Sequence, residues 1–200
     1  MLVHAILPMS RANGPGRRAV VFVQGCMLGC EGCWNNRTHA FVGPEISITD
    51  VLANVVRHVS EQQLDGVTLS GGEPMQQVHD VAALLESLRA AIPQISIGMF
   101  TGYSRRELDE GRFWARQQTD TDSGISLWAS VRNHLDFAVM GRYNRLQPCA
   151  DPLRTSRNQK LHLFTARHSL KEFAEQSVEI AISASGLTTI TGFPTLGTPA

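Results

Sequence analysis

Three of the four cysteines fall within eight residues, in Cys26-Met27-Leu28-Gly29-Cys30-Glu31-Gly32-Cys33. Thiolates this close on one loop can wrap a compact inorganic centre. Iron–sulfur clusters are held by cysteine thiolates, whereas a structural zinc ion takes four closed ligands. The motif supplies three. A cluster of four irons held this way keeps one iron free of protein ligands, and an open coordination position is what chemistry requires and a purely structural site does not. Gly25, Gly29 and Gly32 let the loop curl tightly around its ligands. The alternatives are a zinc knuckle that recruits His39 or Cys149 as fourth ligand, and three ordinary cysteines in a turn. Cys149, between Pro148 and Ala150, reads as a lone thiol with no role.

A second group lies about forty residues on, in Val67-Thr68-Leu69-Ser70-Gly71-Gly72-Glu73-Pro74. A Gly-Gly pair after an apolar run is most often a simple turn. It also lets bare backbone approach a ligand closely, and the adjoining Glu73 carboxylate suits an ammonium group. The competing reading makes Glu73 a solvated surface acid.

These loops need elements to hold them. Residues 18–23 form a short apolar run read as a strand, ending at Gly25 just before the cysteines. Ile48, Val51, Leu52, Val55, Val56 and Val59 mark one helical face, with Ser47 or Thr49 as N-cap. Residues 66–70 read as a strand, Val81, Leu84, Leu85 and Leu88 as a helical stripe stopped near Pro93, and residues 95–100 as a third strand ending at Thr101-Gly102. Residues 104–116 look helical, residues 117–124 read as a loop, residues 135–140 as a fourth strand and residues 161–164 as a weaker one. Residues 178–182 and 188–190 flank Ser185-Gly186 and predict a terminal hairpin. Alternating strands and helices predict a parallel sheet, whose C-terminal strand ends share one side. The cysteine, Gly-Gly and Thr-Gly loops should therefore converge. The expected fold is α/β, an incomplete barrel of parallel strands with crossover helices, in one domain over residues 1–200 with a loose tail at 194–200.

Composition sets the class. The 200 residues are 42% hydrophobic and 18% charged, which describes a globular chain rather than a disordered one. Eighteen basic residues balance eighteen acidic ones, so global charge predicts no nucleic-acid partner and no acidic membrane surface. The longest apolar stretch, residues 19–23, is far short of the roughly 20 residues of a membrane span. The first nine residues lack the basic start and apolar length of a signal peptide. Clustered cysteines in such a chain suggest metal binding in the cytoplasm rather than disulfides.

The Cx3Cx2C motif after a first strand, followed by Gly71-Gly72-Glu73, resembles the radical S-adenosylmethionine (SAM) enzymes. The resemblance implies a [4Fe–4S] cluster on Cys26, Cys30 and Cys33, with SAM on the fourth iron through its amino and carboxylate groups. In that family an electron from the cluster cleaves the sulfonium to methionine and a 5′-deoxyadenosyl radical, which abstracts hydrogen from the target. Gly71, Gly72 and Glu73 are implied to hold the SAM amino group.

Further segments narrow the branch. Asn13-Gly14-Pro15-Gly16-Arg17-Arg18, Gly32-Cys33-Trp34-Asn35, Phe100-Thr101-Gly102-Tyr103, Asp136 with Met140-Gly141-Arg142-Tyr143, and Ser156-Arg157-Asn158-Gln159 are similar to the glycyl-radical activating proteins, above all those of anaerobic ribonucleotide reductases. The match covers roughly residues 10–165. Gly32 stands where many radical SAM enzymes carry an aromatic residue. Trp34 is then expected to pack the adenine, against the alternative of a core tryptophan. Residues 112–133 look like an insertion, and the chain past Ser183 is long for the group. The implied partners are a glycyl-radical enzyme, foremost anaerobic ribonucleoside-triphosphate reductase, and an electron donor such as flavodoxin or ferredoxin. The alternatives are a radical SAM enzyme acting on a small molecule or peptide, and a non-catalytic iron–sulfur electron carrier.

Overall fold

The computed structural model describes residues 1–119, 122–149, 151, 153–173, 178–182 and 188–192. Its centre is a six-stranded sheet with strands in chain order: β1 (Val3–Ser10), β2 (Arg18–Val23), β3 (Gly66–Gly71), β4 (Ser96–Thr101), β5 (Phe137–Met140) and β6 (Lys160–Leu163). β2 through β5 run parallel, and the two edge strands are antiparallel to their neighbours. The expected α/β fold with its parallel strands is present in β2 to β5, while the antiparallel edge strands make the sheet mixed, and the sheet does not close. Only the βαβ crossovers force parallel pairing, and neither edge strand is joined to the sheet through one.

Helix α1 (Ile48–Gln62) links β2 to β3, α2 (Val78–Ala91) links β3 to β4, and α3 (Arg105–Asp109) and α4 (Gly124–Arg132) lie between β4 and β5. Ser47 caps α1, its hydroxyl accepting the Asp50 N–H at 3.0 Å. Val51, Val55 and Val59 are its buried stripe, and Val81, Leu84, Leu85 and Leu88 are that of α2. They pack on Ala19, Val21, Val23, Val67, Leu69, Ile97 and Met99 from one face of the sheet. The helix expected over residues 104–116 is only one turn and a half, and it precedes Gly111 at φ +67°. The stretch expected as an insertion, residues 112–133, contains α4, whose Trp128 and Val131 are buried in the same core.

The opposite face carries a different layer. Arg18 is fully buried there, its guanidinium donating to Thr68 Oγ1 (2.7 Å), Ser96 Oγ (3.1 Å) and the carbonyls of Pro15 (3.0 Å), Val67 (2.8 Å) and Ser96 (3.0 Å). It lies 5.0 Å from the centre of the Phe137 ring. Gly66 and Gly98 make this possible, since a Cβ at either would meet the Arg18 guanidinium or the Phe137 ring at 2.2 Å. Burial pushes the Arg18 pKa down to about 9, so it stays charged at neutral pH, with Asp136 and Asp65 opposing the shift. One side chain therefore stitches the N-terminal ends of β2, β3 and β4 together. No helix is long and apolar enough to cross a membrane among the described residues.

A second sheet, β7 (Val178–Ile182) with β8 (Thr188–Gly192), is the expected hairpin, its strands antiparallel. The expected turn at Ser185-Gly186 and the tail at 194–200 lie outside the described residues.

Replacing Arg18 by Leu leaves three buried carbonyls and two hydroxyls without their donor. The hydroxyls keep other partners, and each orphaned carbonyl costs on the order of 1 kcal/mol, so R18L should lower the unfolding free energy by about 3 kcal/mol. Denaturant titration checks this, with an unchanged midpoint excluding the role.

Candidate functional site

The loops that follow β2, β3, β4 and β5 meet around one cavity of about 560 Å³, on the sheet face away from α1 and α2. Cys26, Cys30 and Cys33 line it, together with Trp34, Asn35, His39, Gly71, Gly72, Glu73, Thr101, Gly102 and Tyr143. The convergence expected from strand polarity is thus present, and its cause is the parallel register of β2 on β3 and of β3 on β4.

Backbone contact sets the cysteine loop. Gly25 N–H donates to Thr38 O at 2.7 Å and Cys26 N–H to His39 O at 2.9 Å, which closes the loop on itself. Gly72 N–H donates to Val23 O (2.8 Å) and Glu73 N–H to Gly25 O (2.9 Å), which joins it to the Gly-Gly loop. A Cβ on Gly72 would come 2.3 Å from Gly25 O, and one on Gly71, at φ +100°, would come 2.6 Å from Val23 N. Both glycines are needed because two backbones touch here. Gln76, fully buried, accepts the Met27 N–H at 2.8 Å and donates to the Tyr103 hydroxyl at 3.0 Å. No periodicity or charge pattern marks Gln76 in the sequence, and its role shows only once the loop is folded over it.

The three thiols are half-buried, and none is in a disulfide. Burial pushes the Cys26 thiol up to about 11 and also raises Cys33, with the neighbouring cysteines adding to both shifts. They are close enough to feel one another's charge. Three cysteine thiols on one cavity wall are the donor set that an iron–sulfur cluster takes. Cys149 lies off the cavity, its Sγ 3.7 Å from Arg154 O.

Glu73 is not a solvated acid. It is 1% exposed, and its oxygens accept from Met75 N–H (2.9 Å), Thr101 Oγ1 (2.7 Å) and Gly102 N–H (2.7 Å). It thus ties the β3 loop to the β4 loop while lining the cavity. Burial drives its pKa up to about 7, against the pull of those three donors and of Arg142. An ammonium group arriving in the cavity would favour its charged form. Trp34 is 49% exposed and lines the cavity, so it is not a core tryptophan. Gly32, at φ +72°, is not among the residues that line the cavity; a Cβ there would come 3.6 Å from the Tyr143 ring and 3.7 Å from Arg145.

Two measurements check this geometry. A carboxyl raised in the folded state contributes stability that is complete below its ordinary value near 4.5 and lost as pH rises through about 7. Glu73→Gln, which cannot ionise, should therefore gain in stability relative to the parent as pH rises from about 4.5 to 7. A gap that does not change with pH would place the carboxyl elsewhere. Gly72→Ala should abolish cluster incorporation on anaerobic reconstitution, read by visible absorbance, because Gly25 must move.

The residues match known proteins. The family described as a 4Fe-4S single cluster domain matches residues 12–162. The anaerobic ribonucleoside-triphosphate reductase-activating protein of Enterobacteria phage T4 is 27% identical over 158 residues, covering 78% of this chain and 90% of that protein. The protein of the same name from Escherichia coli (strain K12) is 32% identical over 113 residues, 54% of this chain and 73% of that protein. A pyruvate formate-lyase-activating enzyme from Listeria monocytogenes is 37% identical over 92 residues, 44% of this chain and 37% of that protein. With three thiols and a Gly-Gly-Glu loop on one cavity and a match over three quarters of its length, this chain is a radical SAM protein of the 4Fe-4S single cluster domain family.

Proposed function

We propose that the chain is an activating enzyme that installs a glycyl radical on a partner protein, an anaerobic ribonucleoside-triphosphate reductase. The observation that carries the reading is the sharing of one cavity by three cysteine thiols and the Gly71–Glu73 loop. The relatives named as activating proteins of that reductase support the choice of partner.

Cys26, Cys30 and Cys33 would hold the [4Fe–4S] cluster as thiolates, releasing their thiol protons to solvent despite the burial that raises Cys26 and Cys33. Gly71, Gly72 and Glu73 would hold the SAM amino group, and Trp34, the exposed aromatic of the wall, the adenine, while Gly32 acts through the bend it allows in the loop. When bound, cluster and SAM supply reductive cleavage of the sulfonium and the radical that takes hydrogen from a glycine backbone carbon. The chain's own contribution is orientation and the exclusion of water and stray hydrogen donors. Gln76 keeps the cysteine loop in place, and Thr101 and Gly102 keep Glu73 aimed. A flavodoxin or ferredoxin would deliver the electron. The reading assigns the chain to the cytoplasm, where thiols stay reduced.

Anaerobic reconstitution should give about four irons and four sulfides per chain. Alanine at Cys26, Cys30 or Cys33 should abolish the cluster, and alanine at Cys149 should not. Reduced enzyme with SAM and the reductase should give a glycyl doublet in electron paramagnetic resonance, lost in Cys30→Ala. SAM consumed in step with a peptide or metabolite, with no radical on the reductase, would replace this reading with the small-substrate one.

A further inference from the structure

The hairpin β7–β8 lies beyond residues 12–162, the part of the chain that the family matches. Among the described residues its strands pair only with each other. Polar contacts moor it to the last residue of β1 and to the segment that joins β1 to β2. Glu179 accepts from Ser10 Oγ and from Arg11 N–H (2.9 Å), and Asn13 Nδ2 donates to Thr191 Oγ1 at 2.8 Å. From that mooring the hairpin runs along the cavity, and Val178, Ile180 and Ile190 stand in its wall.

Val178 and Ile180 are two residues apart on one strand, and Ile190 pairs with Ile180 across the ladder, so the three side chains share one face. Ile180 is 64% exposed and Ile190 63%. Neither belongs to the hydrophobic clusters on the two faces of the main sheet. The same cavity is also walled by Phe22, Phe100 and Val139 of the main sheet. The cavity is therefore divided in character. Thiols, the Gly-Gly backbone and Glu73 gather at the ends of the strands, while the hairpin adds aliphatic surface that nothing in the core covers.

We propose that this hairpin is the partner-selecting wall of the site, its apolar face receiving the glycine-bearing segment of the partner protein. The inference rests on the activating-enzyme reading above. A small polar metabolite would leave this aliphatic surface wet. A polypeptide segment with apolar side chains beside its glycine would cover it, and would gain affinity from doing so. Because the hairpin lies outside the shared family match, it can set which partner is admitted without altering the chemistry at the thiols.

The test titrates the intact anaerobic ribonucleoside-triphosphate reductase against four proteins: the full chain, Ile180→Ser with Ile190→Ser, a chain ending at Phe173, and a chain ending at Gly192. Glycyl radical is read by electron paramagnetic resonance at saturating SAM and excess reductant. Iron content and SAM affinity are measured separately. The serine pair and the chain ending at Phe173 should keep cluster and SAM affinity while the half-saturating reductase concentration rises about tenfold, the effect of leaving roughly one apolar side chain uncovered. If the shorter chain loses its cluster, the serine pair decides. Equal half-saturation in the serine pair and the full chain overturns the inference and leaves the activating-enzyme reading standing. No radical with the full chain, despite a bound cluster and SAM, overturns that reading and the inference with it. Tighter saturation by the chain ending at Gly192 than by the full chain shows residues 193–200 covering the apolar face, and also overturns the inference.

Discussion

The site depends on one close approach, that of the Gly72 backbone to Gly25. Two parallel strands end there side by side, and the chain after each would normally diverge under its own side chains. Here neither residue has one. Gly72 N–H reaches Val23 O, and Glu73 N–H reaches Gly25 O, so the ladder of β2 and β3 is extended past the strands into the loops. The consequence is positional. Cys26, one residue beyond Gly25, and Glu73, one residue beyond Gly72, are held in register by backbone bonds, which cost little entropy once the sheet has formed. A cysteine thiol and a carboxylate from distant sequence positions are thereby fixed on one cavity wall without a side-chain contact between them.

Glu73 then carries a conflict that the fold does not resolve. Its three protein donors suit a carboxylate, yet its burial favours the acid strongly enough to leave the pKa near 7. Met75 and Thr101 donate to one of its oxygens and Gly102 to the other, so an amide, with a single acceptor oxygen, could not satisfy all three. A cation arriving beside such a buried carboxylate would offset its desolvation. The bridging bonds to Thr101 and Gly102 give that acceptor a fixed direction, and they couple the β4 loop to whatever Glu73 holds.

Much of this could be read from residue types. The spacing of Cys26, Cys30 and Cys33 and the Gly71-Gly72-Glu73 run named the chemistry, and the valine and leucine stripes located α1 and α2, with Ser47 capping the first. The central strands read clearly because buried parallel strands are continuous apolar runs. The edges did not. β1 contains His4 and Pro8 and alternates poorly, since one side of an edge strand needs no partner and Pro is tolerated there. α4 was hidden because its apolar residues, Trp128 and Val131 among them, follow a polar loop and lack a strong cap. The antiparallel pairing of β6, which makes the sheet mixed, depends on a long connection that carries no helical pattern. Gln76 and Arg18 were invisible as functional or structural hubs because a buried amide or guanidinium looks, in sequence, like any surface residue.

The open sheet has its own consequence for the chemistry. A closed barrel packs its interior with its own side chains, whereas a sheet with two free edges leaves one face to be covered by other means. Arg18 and Phe137 fill that face near the N-terminal strand ends, and Phe173 and Leu153 pack beside them. Toward the C-terminal ends the cavity begins, with Phe22, Phe100 and Val139 in its wall. Among the described residues the sheet therefore leaves the thiol side of the cavity open. On the activating-enzyme reading proposed above, a radical formed there would tolerate no exposed alternative donors. A protein partner would supply a covering only while its target is in place, which would tie enclosure of the site to the presence of the correct substrate.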